Sequence, residues 1–404
     1  MPRPKKRSNS LKFFLFLVFV IGLYAAWASL RPLAPVPPSS ASLHLQSSSL
    51  SGPLAWPGQG QAAVGINPSG VLATHGEQKP VPIASTAKVL TALAVLKKRP
   101  LAAHQSGPRI QISAADVAIY NQYVANDGSV TAVQVGEELT EYQMLQAILL
   151  PSANNIADSL AIWAFGSLDN YAAFTNNYMR QLGLTHTHIG SDASGYDAST
   201  VSTAHDLVLV GEAAMQEPAL AEIVGQTSAE LPFAGRVQNV NALVGTNGIV
   251  GVKTGNTDQA GGVFLAAKQT SVQGKPLILV SAVVGTDTLQ EAMTTSLPLL
   301  ASSERNFATT QVLPRGAMVG FYPLPWGGQV AAAISKPLTA LIWKGSSFPT
   351  EVQLQPIAGR AVAGQTVGSV QIPQSTVGPA QSVPVQLQTT VPKPSVWWRL
   401  LHPR

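Results

Sequence analysis

The stretch Ile83-Ala84-Ser85-Thr86-Ala87-Lys88-Val89-Leu90 decides how the rest of this chain is read. Ser85 and Lys88 are three residues apart, close to one helical turn, so hydroxyl and amine project from the same face. A largely apolar run, Val89 to Leu96, follows at once, and the pair is expected to open a helix buried in a core. Burial removes the solvation that favours a charged lysine. Its pKa falls, and a neutral amine beside a serine is a general base for a nucleophile. Alone, Ser-x-x-Lys is a weak signal, because most such pairs are a surface helix cap with a solvated lysine.

Two further segments change its weight. Ser152-Ala153-Asn154 follows Leu149-Leu150-Pro151 and precedes the helical pattern Ile156, Leu160, Ile162, which sets it on a turn between buried elements. Lys253-Thr254-Gly255 ends the stretch Gly248-Ile249-Val250-Gly251-Val252, which reads as a buried strand. Each triplet alone is bland, the first a turn and helix cap, the second a strand edge. Together and in this order they match the S-x-x-K, S-x-N and K-T-G set of penicillin-binding proteins and class A β-lactamases.

From about Leu54 to Phe307 the chain resembles a serine-type D-alanyl-D-alanine carboxypeptidase, a low-molecular-mass penicillin-binding protein. Asn239-Val240-Asn241-Ala242-Leu243 is similar to the Asn-x-Asn-x-Leu that precedes K-T-G in that family. Thr257 and Ala260-Gly261-Gly262 fit the continuation of the motif. Ser191-Asp192-Ala193-Ser194-Gly195, then Ser202-Thr203-Ala204-His205-Asp206-Leu207, resemble the family's connector ahead of a helix. The resemblance implies an α/β fold of the β-lactamase/DD-peptidase type: an antiparallel sheet enclosed by helices, with an all-helical lobe.

The resemblance also implies roles. Ser85 attacks the penultimate carbonyl of a peptide ending in D-alanyl-D-alanine, and Lys88 takes its proton. Ser152 relays a proton to the leaving nitrogen, while Asn154 orients the substrate amide and contacts Lys88. Lys253 keeps the site electropositive, which holds Lys88 neutral and draws in the terminal carboxylate. Thr254 binds that carboxylate, and Gly255 leaves room for substrate along the strand. The amides of Ser85 and of Thr257 or its neighbour Asn256 are the expected oxyanion hole. The expected substrates are peptidoglycan stem peptides, with β-lactams as covalent inhibitors and no cofactor. A D,D-endopeptidase of cross-links shares all three motifs. A penicillin-binding sensor or scaffold would keep the fold without needing an intact site. A β-lactamase is disfavoured: class A enzymes activate water with a glutamate beyond the middle motif, and no glutamate occurs from Tyr142 to Gly211.

Composition bounds the remaining readings. A chain of 404 residues, 46% hydrophobic, can bury a sizeable core and is expected to form two domains. It has no cysteine, which excludes disulfides, thiol catalysis and a thiolate zinc site. His186 and His188 form an H-x-H pair without a carboxylate spaced as a further ligand, so no metal is expected. The formal net charge is +5, but its location argues against nucleic acid. Arg3, Lys5, Lys6, Arg7 and Lys12 begin the chain, and Lys393, Arg399 and Arg404 end it, with no acid among either group. Of 25 basic residues those eight lie in the tails, which leaves 17 against 20 acidic. Anionic lipid is the natural partner of such tails.

The expected organisation follows. Residues 1–12 are a basic tail, and 13–30 a transmembrane anchor or signal peptide; Ala26-Trp27-Ala28 could serve as a cleavage site, although the run is long enough to span a bilayer. Either way the body lies on the extracytoplasmic face of the cell membrane. Residues 31–53, rich in Pro and Ser, read as a flexible tether, and 54–307 as the catalytic domain. Residues 308–392 show short apolar runs between Pro and Gly turns and read as a small β-domain, a spacer or docking module without a motif for chemistry. Residues 393–404 carry Trp397-Trp398-Arg399, which suits a membrane-associating tail.

Overall fold

The computed structural model describes residues 9–40, 44–46, 52–272, 274–345, 347–358, 360–372 and 380–402. Arg3, Lys5, Lys6, Arg7 and Arg404 lie outside them, as does part of the stretch read as a tether. The chain divides into two compact units. One comprises Ser48–Ala308 with Trp343–Ser346, the other Met1–Ser47, Thr309–Ile342 and Ser347–Arg404.

The first unit is built on a five-stranded antiparallel sheet. Its order is Ile249–Thr257, Gly261–Val272, Lys275–Thr286, Gln61–Asn67, Gly70–His75. Val263, Phe264, Leu265, Ala266 and Ala267 are consecutive and all fully buried, so both faces of the sheet are covered. Helices Ala204–Gln216 and Leu289–Glu304 pack on its central strands. Gly211 of the former has no room for a side chain, since a Cβ there would meet Val280 and Leu265 of the sheet.

Helices Ala114–Ala125, Glu141–Leu149, Asn154–Phe165 and Leu168–Gln181 form the helical part. Two of them start where the sequence supplies reciprocal caps. Ser113 and Asp116 bond each other's backbone amides, as do Thr140 and Gln143. Helix Ala87–Lys98 packs against Glu141–Leu149, Asn154–Phe165 and Leu168–Gln181 on one hand and Ala204–Gln216 on the other, and every residue from Ala87 to Leu96 is buried. The apolar run after Lys88 therefore lies in the core on all sides. Strand Ile249–Thr257, which carries Lys253-Thr254-Gly255, is an edge of the sheet. Lys253 pairs with Leu265 and Gly255 with Val263 on its one bonded side.

The second unit has a six-stranded sheet with the order Ser39–Ser40, Met318–Pro323, Gln329–Ile334, Gln381–Leu387, Thr366–Ile372, Glu351–Leu354. Val319, Tyr322, Val330, Ile334, Val370 and Val385 form its core. The stretch expected to be a flexible tether is partly drawn into this unit. Val36 is buried in the same core and bridges Ile357, while Ser39 and Ser40 pair with Phe321 and Gly320. One apolar residue and two extended serines suffice, because backbone pairing asks little of side chains.

Helix Asn9–Leu30 opens this unit, and its segment Ser10–Leu30 is long and apolar enough to cross a membrane, with mean hydropathy 2.3. A short helix, Val396–Leu401, closes the described chain.

Candidate active site

Ser85 does not open the long helix itself. It lies in a single 3-10 turn, Ala84–Thr86, and Lys88 falls in the first turn of the helix that follows. Thr86 ties this turn with its hydroxyl to the Ile83 carbonyl at 2.6 Å. Ala84 has φ +46°, a left-handed conformation that costs a residue with a side chain about 1 kcal/mol or more. Close packing keeps it there. Gly195, at φ +71°, approaches so near that a Cβ would meet the Ala84 carbonyl at 2.2 Å.

Lys88 is fully buried and donates three hydrogen bonds. They reach Ser85 Oγ at 2.8 Å, Asn154 Oδ1 at 2.7 Å and the Ser194 carbonyl at 3.0 Å. Burial lowers its pKa to about 7, against the opposing pull of the Asp192 and Asp158 carboxylates. The amine is thus poised to lose its proton near neutrality, in contact with a hydroxyl.

Asn154 is the first residue of its helix, and its amide donates to the Ser129 carbonyl at 2.7 Å. Asn155 fixes the same loop by a bidentate contact, accepting from the Thr131 amide at 3.0 Å and donating to its carbonyl at 2.9 Å. Ser152 is not the helix cap that its position suggested. The N-cap is Ala153, and Ser152 precedes it with φ +67°. Ser152 is nearly buried, and among the described residues its hydroxyl bonds neither Ser85 nor Lys88.

Lys253 is buried and donates to the Thr254 carbonyl at 3.1 Å. Burial, then the Lys88 charge, push its pKa well below the usual range. The Asp192 and Asp158 charges oppose the loss of charge at Lys88, whereas burial and the Lys88 charge both act against the charged form of Lys253. Thr254 is buried, and Gly255 has a steric reason of its own to be a glycine. A Cβ there would meet the Ile83 carbonyl at 2.9 Å, Ala84 Cβ at 3.1 Å and Ser85 N at 3.2 Å. The glycine lets the edge strand press against the serine turn.

Above these groups opens a cleft of about 630 Å³. Ser85, Asn154 and Asn256 reach its wall, joined by Tyr196, Thr257 and the loop at Asp127. Lys88, Ser152, Lys253, Thr254 and Gly255 are not among its lining residues.

In the sequence Ser191 to Gly195 reads only as a connector, and Tyr123 and Asp158 do not stand out. Asp192 Oδ1 accepts from the amides of Ser194 and Gly195, each at 2.6 Å, and from the Ser194 hydroxyl at 2.8 Å. These bonds shape the loop whose carbonyl receives Lys88. Asp158 holds the same loop through the Ala193 amide at 2.9 Å and accepts from the Tyr123 hydroxyl at 2.8 Å. From below, Thr91 donates to the Ala193 carbonyl at 2.6 Å. The one available signal for Asp158 was its spacing, four residues after Asn154 on a helical face.

Comparison with known proteins finds related sequences and folds. Residues 59–288 match the family described as D-alanyl-D-alanine carboxypeptidase, peptidase family S11. The chain is 31% identical over 218 residues to the D-alanyl-D-alanine carboxypeptidase DacA of Escherichia coli, covering 52% of each chain. It is 33% identical over 218 residues to DacB2 of Mycobacterium tuberculosis, covering 52% of this chain and 70% of that one. It thus spans about half the length of curated relatives such as DacA. In fold it is similar to penicillin binding protein 5 from Haemophilus influenzae, with a TM-score of 0.60 at 20% identity over 85% of this chain and 100% of that one. A mutant of the Streptomyces K15 DD-transpeptidase gives 0.54 at 22% identity, over 60% of this chain and 96% of that one. Because the family match extends over more than half of the sequence and contains all three motifs, the chain belongs to the D-alanyl-D-alanine carboxypeptidases of peptidase family S11.

Proposed function

We propose that the protein removes the terminal D-alanine from peptidoglycan stem peptides through an acyl-enzyme on Ser85, and that β-lactams acylate the same serine. The observation that carries this reading is the buried Lys88 amine, its pKa lowered to about 7, 2.8 Å from Ser85 Oγ. A charged lysine could only donate to the hydroxyl; a neutral one accepts its proton and leaves an alkoxide to attack.

In this reading the attack places an oxyanion between the amide of Ser85 and that of Thr257 or its neighbour Asn256. Loss of one such donor costs about 2.7–4 kcal/mol of barrier. Asn154 holds Lys88 from the far side and presents its amide to the substrate. Ser152, whose hydroxyl faces no partner in the Ser85–Lys88 pair, passes a proton to the departing D-alanine nitrogen. Water then releases the acyl group. The terminal carboxylate lies near Thr254, Asn256 and Lys253, and it supplies a counter-charge to buried Lys253, so binding favours proton uptake by that lysine. The open edge of strand Ile249–Thr257 offers a peptide a row of backbone groups to pair with.

The protein acts from the extracytoplasmic face of a membrane, held by helix Asn9–Leu30. Retention of that helix is supported by bonds on both sides of the candidate cleavage site. Tyr24 donates to the Leu400 carbonyl at 2.7 Å, and Arg399 to the carbonyls of Ala28 at 3.3 Å and Arg31 at 3.0 Å. Incubating the full chain with a peptidoglycan pentapeptide and with a cross-linked peptide dimer, then weighing the products, tests the activity. A tetrapeptide and free D-alanine are expected. Cleavage of the dimer alone would make the enzyme an endopeptidase, and no product from either would leave a binding role.

A further inference from the structure

Three arginines far apart in sequence, Arg31, Arg360 and Arg399, line one cavity of about 340 Å³ together with Leu30, Leu33 and Ala358. It lies in the second unit, where helix Asn9–Leu30 ends. Arg31 comes directly after that helix and Arg399 from the closing helix Val396–Leu401. The closing helix is fixed in place by the Tyr24 and Arg399 bonds to main-chain carbonyls, and by an Arg31 bond to the His402 carbonyl. Trp398 adds a bond to the Pro325 carbonyl at 3.1 Å and an edge-on contact with Trp326 at 5.6 Å.

Charge in this unit is lopsided. Counting the whole of Met1–Ser47, Thr309–Ile342 and Ser347–Arg404, it has 12 Lys and Arg against the single acid Glu351. The catalytic unit has 13 against 19. Among the described residues no carboxylate forms an ion pair with Arg360 or Arg399. The net negative catalytic unit and the strongly positive second unit cannot both suit an acidic partner, so the attraction is local to the second.

The surroundings name the partner. Tyr24 and Trp27 occupy the last turns of the apolar helix, Trp27 under the Arg31 guanidinium at 5.7 Å, and Trp397 is 74% exposed on the closing helix. Aromatic rings at the end of an apolar span sit at the headgroup level of a bilayer. Guanidinium groups bind phosphate oxygens in bidentate fashion better than ammonium does. A cavity at that depth, lined by three guanidinium groups and by aliphatic Leu30 and Leu33, suits a ligand that is a phosphate at one end and hydrocarbon at the other.

We propose that Arg31, Arg360 and Arg399 form a binding site for the phosphate headgroup of an anionic membrane lipid, which locks the C-terminal tail to the exit end of the N-terminal helix. The inference rests on reading Asn9–Leu30 as a retained membrane span. Native mass spectrometry of the full chain in detergent, offered phosphatidylglycerol or phosphatidylcholine, tests both at once. Preferential retention of phosphatidylglycerol is expected, with at least about a tenfold loss in the triple variant R31Q/R360Q/R399Q, since each 1.4 kcal/mol is a factor of ten. The control R315Q/K336Q, which removes charge elsewhere in the unit, should retain the lipid. Equal retention by the triple variant, or equal loss in the control, overturns the site. Displacement of the lipid by inorganic phosphate at the same concentration would also overturn it, in favour of a small-anion site. The intact mass in the same spectrum reports separately on the span. A chain lacking its first 28 residues would defeat that reading, while the lipid comparison still decides the site because all three arginines remain.

Discussion

Tyr123 donates a 2.8 Å hydrogen bond to Asp158, a buried carboxyl one helical turn beyond Asn154. Burial raises the Asp158 pKa to about 6, while the bonds from Ala193 and Tyr123 act to lower it. Near neutrality Asp158 is therefore mostly ionised, and its charge raises the pKa of Lys88. The pair thus places a tunable negative charge behind the proposed general base.

Asp158→Asn should shift the rising limb of the pH profile for acylation. In the proposed mechanism acylation needs neutral Lys88, so its rate should climb as pH rises through about 7. Removing a carboxylate that favours the charged amine lowers that pKa, and the limb moves to lower pH. Tyr123→Phe should move it the same way by less, because Asp158 then ionises less readily. The second-order rate of labelling by a fluorescent penicillin, followed across neutral pH, reports the shift. An unmoved limb in Asp158→Asn would disconnect this carboxylate from the base.

Lys88→Arg should be nearly as damaging as Lys88→Ala. Arginine keeps its proton at any accessible pH and cannot serve as a base. A lost general base typically costs about 10²–10⁴-fold in rate. Ser85→Ala should abolish labelling while leaving the melting temperature close to that of the parent, since the turn holds a small residue easily. Labelling that persisted at Ser152 would mean that the nucleophile is a different serine.

These residues also mark what the sequence could reveal. Ser85 and Lys88 are legible because helical spacing alone brings them together, and strand Ile249–Thr257 because its apolar run is a local signal. The Ser194 carbonyl that accepts from Lys88 is 106 residues away from it, and any residue type can offer a carbonyl. Asp158 looked like one polar residue in a buried helix; only its partner Tyr123, 35 residues earlier, shows what the carboxylate is for. Val36 in the second unit's core was hidden for a similar reason, as one apolar residue among prolines and serines carries no periodicity.

Glu212 should make the catalytic unit lose stability as pH rises. It is buried on helix Ala204–Gln216, where one carboxyl oxygen accepts from the Gly70 amide at 3.1 Å. The other oxygen has no partner among the described residues. Burial raises its pKa from 4.5 to about 7. Between those values the unfolded chain has released the proton while the folded one keeps it, so unfolding becomes easier with each step in pH. The loss is on the order of 3 kcal/mol, because each pH step of one across that window is worth about 1.36 kcal/mol. Glu212→Gln should flatten that part of the curve in urea unfolding series at pH values on either side of the window. An unchanged slope would assign the pH dependence elsewhere, with Glu141 the next candidate, since burial raises it to about 7 as well.

Gly255→Ala separates two reasons for a glycine in the Lys253-Thr254-Gly255 strand. If the residue only clears space for substrate, a methyl group there should raise KM and leave the fold untouched. The contacts say more. The added Cβ would press on the Ile83 carbonyl, Ala84 and Ser85 N, all within 3.2 Å, and relief requires the edge strand or the serine turn to move. Ala84 already holds a left-handed φ of +46°, and Gly195 packs on its carbonyl from another side, so the turn has little freedom to yield. Overpacking of this kind typically costs about 1–3 kcal/mol. The strand carries the motif that would hold the substrate carboxylate, and the turn carries Ser85, the proposed nucleophile, so their relative shift should lower the acylation rate constant itself as well as binding. Gly255→Ala is therefore expected to melt earlier than the parent and to react more slowly at saturating penicillin. A variant with parental stability and a parental saturating rate, changed in KM alone, would return the glycine to the simpler role of leaving room for substrate.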